Sequence, residues 1–306
     1  MTARRGTTSL SGILVIDKPT GMTSHDVVAR LRRATGERRI GHAGTLDPLA
    51  TGILVVLVGS ATRLERYLSG HDKSYCATVC FGVETDTLDS DGKTLMRHSV
   101  PASVLDRREA QRILDGFVGP QSQIPPAYSA IKRDGVPAYR LARAGVEVEM
   151  ASRDIVVHEA ALESIDPDTT SWEVHFSVSK GTYIRSLARD LGTAAGSGAH
   201  LSALSRTSVG SISLDEAHTL DDACDIAAAG ALADIFSDPV PALGFPVMEG
   251  PSAPVRAGHA LRVPPSIDLA SEDRVSVLVD GRLGAVYRQT SRGCVPETVF
   301  IPEVAR

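Results

Sequence analysis

Residues 41–58 read GHAGTLDPLATGILVVLV and join a glycine-punctuated loop to a continuous apolar run. The glycines allow the backbone to take a positive φ or to pass close to a ligand. Pro48 disfavours a helical conformation at Asp47, so the carboxylate is held in an extended segment just before the apolar run, which predicts a buried strand. Such a carboxylate is a candidate nucleophile or base, although Asp-Pro in a glycine-rich stretch is more often only a turn.

Five other stretches accompany this loop along the chain: DKPTGMTS at 17–24, DKSY at 72–75, IPPAYSAIK at 124–132, SKGTYIR at 179–185 and GAHLSALSR at 198–206. Together with residues 41–63 they resemble, in the same order, the motifs of the TruB family. This family comprises bacterial tRNA pseudouridine synthases that act on uridine 55 of the T loop. One motif could match by chance, but an ordered series from residue 12 to about 210 identifies the chain as a member of the family.

The resemblance implies a mixed α/β (α+β) pseudouridine synthase fold, built on a curved, largely antiparallel sheet with a catalytic cleft. It implies a catalytic domain over residues 1–240, whose insertion at 124–146 contacts the T arm of tRNA. A small β-rich, PUA-like RNA-binding module is expected over residues 250–306. In that module, alternating apolar residues predict a hairpin at Asp280-Gly281: Val275, Val277 and Val279 precede this turn, and Leu283, Ala285 and Tyr287 follow it. Five prolines between residues 236 and 254 predict a linker.

Apolar periodicity predicts the elements that carry the motifs. These are a strand at 13–16, a helix that Ser24 caps and Gly36 ends, a strand at 75–81, a helix at 103–114, and a strand at 172–178 followed by a helix bearing Leu187 and Leu191.

The net charge of −5 is unlike that of a typical nucleic-acid binder. Charge is nevertheless uneven along the chain. Five arginines crowd ten residues, at positions 30, 32, 33, 38 and 39, while acids gather at 84–91 and 215–225. A local basic strip can neutralise phosphates while the far side of the molecule stays acidic, and a solvated helix face is an equally weighted alternative.

The longest strongly apolar run, Ile53 to Val58, is far too short to span a bilayer, and no apolar region typical of a signal peptide is present. We therefore expect a cytoplasmic protein with no membrane partner. Isomerisation of uridine involves neither redox change nor group transfer, so no cofactor or metal is expected. The sequence contains no Walker A motif, no GxGxxG after a strand and no His/Cys cluster with metal-ligand spacing.

The resemblance implies that Asp47 is the catalytic carboxylate. Burial disfavours the charged form of a carboxylate, so a nearby cation is needed to keep Asp47 ionised. Arg185 matches the active-site arginine of the family and is the candidate for this cation, although a surface arginine at a helix start is its ordinary alternative. Asp89 lies where the family has an acid that helps to order this ion pair.

The remaining candidates bind the substrate. Tyr75 resembles the tyrosine that stacks on the extruded base and could shuttle the C5 proton, but it could also be a core residue. Tyr183 and Leu204 match other pocket residues of the family, and burial statistics alone would place a leucine in the core. His42 matches a histidine that contacts displaced nucleotides. Lys18 is expected to brace the active-site loop or a phosphate.

Two other classes of function compete with a synthase of tRNA. The first is a tRNA-binding or RNA-folding module without catalysis, which would not need Asp47. The second is a hydrolase or phosphatase that uses Asp47 as its nucleophile, but this chemistry requires a second acid and a metal, and position 49 is leucine. We expect the T stem-loop of tRNA as the partner, no guide RNA, and a monomer.

Overall fold

The computed structural model describes residues 9–133, 135–146 and 148–305. The first eight residues and Glu147 of the predicted catalytic domain, Asp134 of its predicted insertion, and Arg306 of the predicted C-terminal module lie outside the described residues. In the described ranges, no helix combines the length and the apolar character needed to cross a membrane.

The strands of the described residues are β1 (Gly12–Lys18), β2 (Ile40–His42), β3 (Thr51–Val58), β4 (Lys73–Phe81), β5 (Val83–Thr85), β6 (Thr94–Arg97), β7 (Gly119–Gln123), β8 (Lys132–Arg133), β9 (Val136–Pro137), β10 (Arg153–Asp166), β11 (Ser171–Val178), β12 (Ala199–Val209), β13 (Ile212–Ser213), β14 (His218–Thr219), β15 (Val247–Glu249), β16 (Arg274–Val279), β17 (Arg282–Thr290) and β18 (Gly293–Val304).

The α-helices are α1 (Ser24–Thr35), α2 (Glu65–Leu68), α3 (Arg107–Asp115), α4 (Ala138–Arg143), α5 (Ile184–Ala194), α6 (Leu220–Ala228), α7 (Pro239–Leu243) and α8 (Ser252–Arg256). Short 3-10 helices span Gly59–Leu64, Ala102–Leu105, Leu214–Glu216 and Leu232–Ile235.

The chain forms two compact units, and the first of them is discontinuous in sequence. It contains residues 1–71 and 208–306, whereas the second contains residues 72–207. Helices and mixed sheets occur together, so the expected mixed α/β fold class is confirmed. Both the predicted catalytic domain and the predicted C-terminal module contribute to the first unit. The division of the chain at residues 240–250 stays a prediction.

In the first unit, β1 and β3 form the centre of the core. They pair antiparallel from Gly12 opposite Val58 to Lys18 opposite Gly52, and β2 adds antiparallel to β3. Strand β14 pairs parallel with β1. The side chains of Ile53 to Val58 are fully buried, which confirms the strand predicted from the apolar run. Both faces of such a strand are covered, so its sequence does not alternate between apolar and polar residues.

Helix α1 begins one residue earlier than predicted. Thr23 is the N-cap: its hydroxyl accepts from the Asp26 amide at 3.1 Å, and the Asp26 carboxylate accepts from the Thr23 amide at 3.0 Å. This reciprocal arrangement is a capping box, so the assignment of Ser24 as N-cap is wrong. Gly36 ends the helix with a φ of 70°, as predicted.

The acidic stretch near residue 220 lies close to the arginine-rich stretch that begins at residue 30. Helix α6 packs against α1, and Asp221 Oδ1 lies 2.6 Å from Arg30 Nη2. The expected separation of acids and bases is therefore wrong here, because sequence distance gives no information on how these helices pack.

The C-terminal residues of the first unit form a four-stranded sheet in the order β15-β16-β17-β18. Asp280 and Gly281 both have positive φ, 51° and 74°, which confirms the predicted hairpin. One face of the sheet, including Leu278 and Phe300, joins the core cluster that contains the β1 and β3 side chains. The other face forms a separate cluster around Val277 and Tyr287.

The predicted linker at 236–254 is wrong. Pro239 occupies the first turn of α7, where proline is favoured because its missing N–H would have no helical partner. Ala242 and Leu243 are buried in the core, and β15 pairs parallel with β16. Pro241 also lies within α7, and Pro254 lies within α8, so these prolines belong to short packed elements.

The second unit contains strands in the order β12-β4-β11-β10-β7, together with helices α3, α4 and α5 and the two-stranded sheets β5-β6 and β8-β9. The β4–β11, β11–β10 and β10–β7 pairs are antiparallel. The predicted strands at 75–81 and 172–178 are confirmed as β4 and β11. The helix predicted over 103–114 is interrupted, because the Asp106 side chain caps α3 and the preceding residues form a 3-10 turn.

Candidate active site

The loop that carries Asp47 connects β2 to β3 in the first unit, and Asp47 is half-buried. Its own carbonyl accepts a hydrogen bond from the Ala50 amide at 3.1 Å. Gly44 and Gly52 have φ values of 110° and 89°, so both loop ends need the conformational freedom of glycine. His42 lies at the end of β2, opposite Val56, and is also half-buried.

Segment 17–24 braces the loop on both sides of Asp47. Before it, the Ser24 hydroxyl accepts from the Leu46 amide at 2.9 Å and donates to the Leu46 carbonyl at 3.1 Å. After it, the Gly21 amide donates to the Pro48 carbonyl at 2.8 Å. The backbone of the residues flanking Asp47 is therefore fixed by an adjacent stretch of chain.

Lys18 is part of the same brace. Its side chain is fully buried, and Nζ donates to the carbonyls of Pro19 and Met22, both at 2.8 Å, and of Pro48 at 3.4 Å. A buried ammonium is tolerated only where several acceptors satisfy it. Of the two roles expected for Lys18, this placement is that of a residue that holds the loop.

In the second unit, the structure brings Arg185 and Asp89 together. Both are buried, at 4% and 6% exposure, and Arg185 Nη1 lies 3.6 Å from Asp89 Oδ2. The guanidinium also donates to the carbonyls of Thr87 at 2.9 Å and of Tyr128 at 3.0 Å. Arg185 thus belongs to a fixed network at the start of α5, although its sequence position alone would suggest a surface residue.

Tyr75 and Leu204 lie on strands of the second unit. Tyr75 is on β4 opposite Phe176 of β11, and its side chain is 7% exposed. Leu204 lies on β12 and is 8% exposed. Each of these side chains therefore retains only a small exposed surface.

Tyr183 is held by residues that the sequence did not single out. The Gln123 side chain accepts from the Tyr183 amide at 2.8 Å and donates to its carbonyl at 3.1 Å, and Gln123 is 1% exposed. The Arg153 guanidinium lies 5.6 Å from the centroid of the Tyr183 ring, within the range of a cation–π interaction. Gln123 adjoins the 124–132 motif, but no sequence pattern marks Arg153.

Lys73 lies within the motif at 72–75, but the sequence analysis assigned it no role. It lies two positions before Tyr75 on the same face of β4 and is 8% exposed. Burial, together with the positive charges of Arg206 and Lys180, lowers the pKa of Lys73 to about 8, against the opposing effect of Asp72.

The eight candidates fall into two groups. His42, Asp47 and Lys18 lie in the first unit, and Tyr75, Asp89, Tyr183, Arg185 and Leu204 lie in the second. The structure shows the loop brace and the Arg185–Asp89 network. The catalytic and substrate-binding roles of these residues stay predictions, as does the pairing of Arg185 with Asp47.

Comparison with solved structures gives the class of fold. The chain superimposes with a TM-score of 0.69 on a chain of the crystal structure of a Cbf5-Nop10-Gar1 complex, at 26% identity, over 94% of this chain and 84% of that chain. A structure of an H/ACA RNP bound to a substrate RNA containing 2′-deoxyuridine gives the same TM-score at 23% identity and supports the fold alone.

Sequence comparison gives the family. Residues 32–184 match the N-terminal domain of the TruB family pseudouridylate synthases, and residues 185–235 match the C-terminal domain of tRNA pseudouridylate synthase B. The chain belongs to the TruB family of pseudouridylate synthases, as its motifs predicted.

Several curated relatives are similar over most of their length. The tRNA pseudouridine synthase B of Geobacter sulfurreducens is 46% identical over 77% of this chain and 76% of its own. The proteins of the same name from Thermobifida fusca and Syntrophotalea carbinolica are 42% and 40% identical. They cover 94% and 92% of this chain, and 98% and 92% of their own lengths.

Proposed function

We propose that this chain isomerises uridine to pseudouridine in tRNA, at position 55 of the T loop. The observation that carries the proposal is family membership, with relatives named tRNA pseudouridine synthase B that match nearly end to end. The braced loop around Asp47 adds support, because a reacting carboxylate must be held in one position.

In this proposal Asp47 supplies the reacting carboxylate. The N1–C1′ bond of uridine breaks, the base rotates, and a C5–C1′ bond forms; C5 loses a proton and N1 gains one, so product and substrate are isomers. The carboxylate adds to uracil C6, captures C1′, or assists loss of the base to form a glycal. Each route requires the target uridine to be extruded from its loop.

The other candidates position the extruded nucleotide. Tyr75 offers an aromatic face and a hydroxyl for the C5 proton. Leu204 packs under the base, and Tyr183 adds a polar hydroxyl group. Arg185, ordered by Asp89, provides positive charge. His42 contacts displaced nucleotides. Complete burial and three carbonyl partners support a bracing role for Lys18 in place of contact with a substrate phosphate.

We further propose that the chain works on tRNA as a monomer in the cytoplasm, without a guide RNA. The Cbf5 and H/ACA structures come from assemblies with other proteins or RNA. The similarity of this chain to the curated tRNA pseudouridine synthase B proteins, at 40–46% identity, is higher than its similarity to those structures.

The test uses only the purified chain and a tRNA transcript tritiated at uracil C5, and measures tritium release. We expect release by the wild type and a loss of at least about 10³-fold with Asp47→Asn, since the reacting carboxylate is removed. Asp234→Asn, which changes an exposed carboxylate, serves as the matched control and should retain full activity. A transcript with cytidine at position 55 should release no tritium above background.

The outcomes separate the alternatives. tRNA binding by wild type without tritium release would favour the non-catalytic module. Release by both wild type and Asp47→Asn would show that another group does the chemistry. A requirement for added guide RNA would overturn the proposal that the chain acts alone.

A further inference from the structure

A cavity in the first unit has no part in the proposed reaction. Its volume is about 310 Å³, which is at the lower end of the range for small-ligand sites. Two arginines, two aromatic rings and a histidine surround it: the lining residues are Arg66, Tyr67, Gly70, His71, Phe245 and Arg274.

The two arginines are held beside one tyrosine. The guanidinium carbons of Arg66 and Arg274 lie 5.6 and 5.7 Å from the Tyr67 ring centroid. The Tyr67 hydroxyl is fixed by a 2.7 Å hydrogen bond to the Thr298 hydroxyl. Both arginines also approach the Glu297 carboxylate, at 3.4 and 2.7 Å. Two guanidiniums against one carboxylate leave the cluster with a net positive charge.

The charged groups remain accessible to a ligand. The Arg66 side chain is 57% exposed and that of Arg274 is 36% exposed, whereas the Glu297 side chain is 13% exposed. The positive charge of the cluster therefore reaches the surface, and most of the negative charge is covered. Guanidinium groups bind phosphate oxygens in a bidentate manner, which makes such a surface suited to a phosphate group.

Phe245 contributes an apolar surface to the same cavity. Its ring is half-buried and meets the Tyr67 ring edge-on, with centroids 5.9 Å apart and planes at 89°. Partly exposed aromatic rings are the surfaces on which unpaired RNA bases stack. Phosphate-binding and base-stacking groups thus lie within one nucleotide-sized space.

The cavity and the candidate catalytic carboxylate lie beyond opposite ends of strand β3. Asp47 precedes β3, whereas the 3-10 helix Gly59–Leu64 and then α2, which carries Arg66 and Tyr67, follow its other end. A strand of eight residues spans about 25 Å. A nucleotide in the cavity is therefore neither the target uridine nor one of its neighbours in the same loop.

We propose that this cavity binds an unpaired nucleotide of the tRNA outside the T arm, with its phosphate on Arg66 and Arg274 and its base against Phe245. The T stem is base-paired, so its bases are not free to stack on Phe245. The inference rests on the proposed function in one respect: it assumes that the RNA substrate is tRNA. It gives the enzyme a second contact that an isolated T-arm hairpin cannot make.

The experiment compares dissociation constants for full-length tRNA and for the isolated T-arm hairpin, measured by filter binding over a range of salt concentrations. Arg66→Gln should weaken binding of full-length tRNA about 3- to 10-fold. In a plot of log Kd against the logarithm of the salt concentration, the magnitude of the slope should decrease by about 0.7. Phe245→Leu, which keeps an apolar side chain, should weaken it about fivefold or more. Neither variant should change hairpin binding.

Arg256→Gln is the matched control. The Arg256 side chain is 51% exposed and pairs with Glu303 at 2.6 Å, but it lies outside the cavity lining. Binding by this variant should equal that of the wild type. Thermal unfolding of each variant establishes that it is folded.

Unchanged affinity of the Arg66→Gln and Phe245→Leu variants for full-length tRNA would overturn the inference. An equal loss on tRNA and hairpin would also overturn it, because the contact would then belong to the T arm or to charge in general. Failure of the proposed function would give a different result. The wild type would then either bind neither RNA specifically or release no tritium from tRNA.

Discussion

Lys73 shows how burial changes the chemistry of one side chain. It is 8% exposed and adjoins the positive charge of Arg206, so its pKa is lowered from its ordinary value of 10.5 to about 8. The folded state therefore binds this proton more weakly than the unfolded state does. Below pH 8 the ammonium is charged in both states, and the folded state bears the full penalty for burying it.

Replacement of Lys73 by methionine should reveal this penalty as a pH dependence. Between about pH 8 and 10.5, Lys73 loses its proton in the folded wild type but keeps it in the unfolded chain. In this range, Lys73 therefore makes the free energy of unfolding of the wild type rise with pH. Lys73→Met lacks that slope. The stability of Lys73→Met relative to wild type should therefore be greatest below pH 8 and decrease towards pH 10.

Urea denaturation at pH 7, 9 and 10 measures this difference. The sign of the difference at pH 7 depends on the other contacts that the ammonium makes, but the direction of its change does not. A stability difference that stays constant, or that grows in favour of methionine as the pH rises, would contradict the assignment of a lowered pKa to Lys73.

The first turn of α1 combines two functions in adjacent residues. Thr23 closes a capping box with Asp26 on the exposed side, while Ser24, 2% exposed, holds the backbone of Leu46. The helix is therefore stabilised by one hydroxyl, and the Asp47 loop by the next. Sequence alone favoured Ser24 as the cap because serine and threonine have similar capping propensities.

Alanine substitutions should separate the two functions. Thr23→Ala should lower the free energy of unfolding by about 1 kcal/mol with kcat unchanged, because only the cap is lost. Ser24→Ala should lower it by about 1–3 kcal/mol, since the Leu46 amide loses a buried partner, and should also lower kcat because the Asp47 loop is loosened. Denaturant unfolding and tritium-release kinetics of both variants measure these effects. Equal kcat values for the two variants would contradict the loop-bracing role of Ser24.

Elements with a strong local pattern could be predicted, and elements that depend on distant packing could not. Strand β3, the hairpin at Asp280-Gly281 and the end of α1 at Gly36 follow from apolar runs and glycine conformations. The prolines at 236–254 resemble a linker by composition, but Pro239 begins a helix whose Leu243 is buried. The burial comes from contacts with residues far away in the sequence.

The same limit applies to the site. The family motifs marked Asp47, Arg185 and Tyr183 directly, and the resemblance also named Lys18 and Asp89 beside the first two. The residues that hold Tyr183 were not marked. Gln123 binds the backbone of Tyr183 from 60 positions away. Arg153 has no motif of its own and approaches Tyr183 only because β10 begins beside it.

The division of the chain into units is a property that no local sequence pattern encodes. Residues 1–71 and 208–306 form one unit, as the hydrogen bond between Tyr67 and Thr298 across 231 positions illustrates. The cavity beside Tyr67 depends on this long-range contact. A binding site for a second part of the RNA could therefore be recognised only once the fold was known.

The segment at 124–146 gives a test of how the chain engages tRNA. Its described residues hold only a two-residue strand pair, β8–β9, and the six-residue helix α4. A helix this short is not stable on its own, so we expect its amides to exchange rapidly in the free protein. If the segment folds over the T arm to make the contact that the family resemblance implies, bound tRNA should slow exchange across Ala138–Arg143. Hydrogen exchange with and without tRNA measures this, with β11 as an internal control that is protected in both states.

Unchanged exchange in α4 at saturating tRNA would show that the segment does not fold over the substrate, because a segment covered by RNA loses the openings through which its amides exchange.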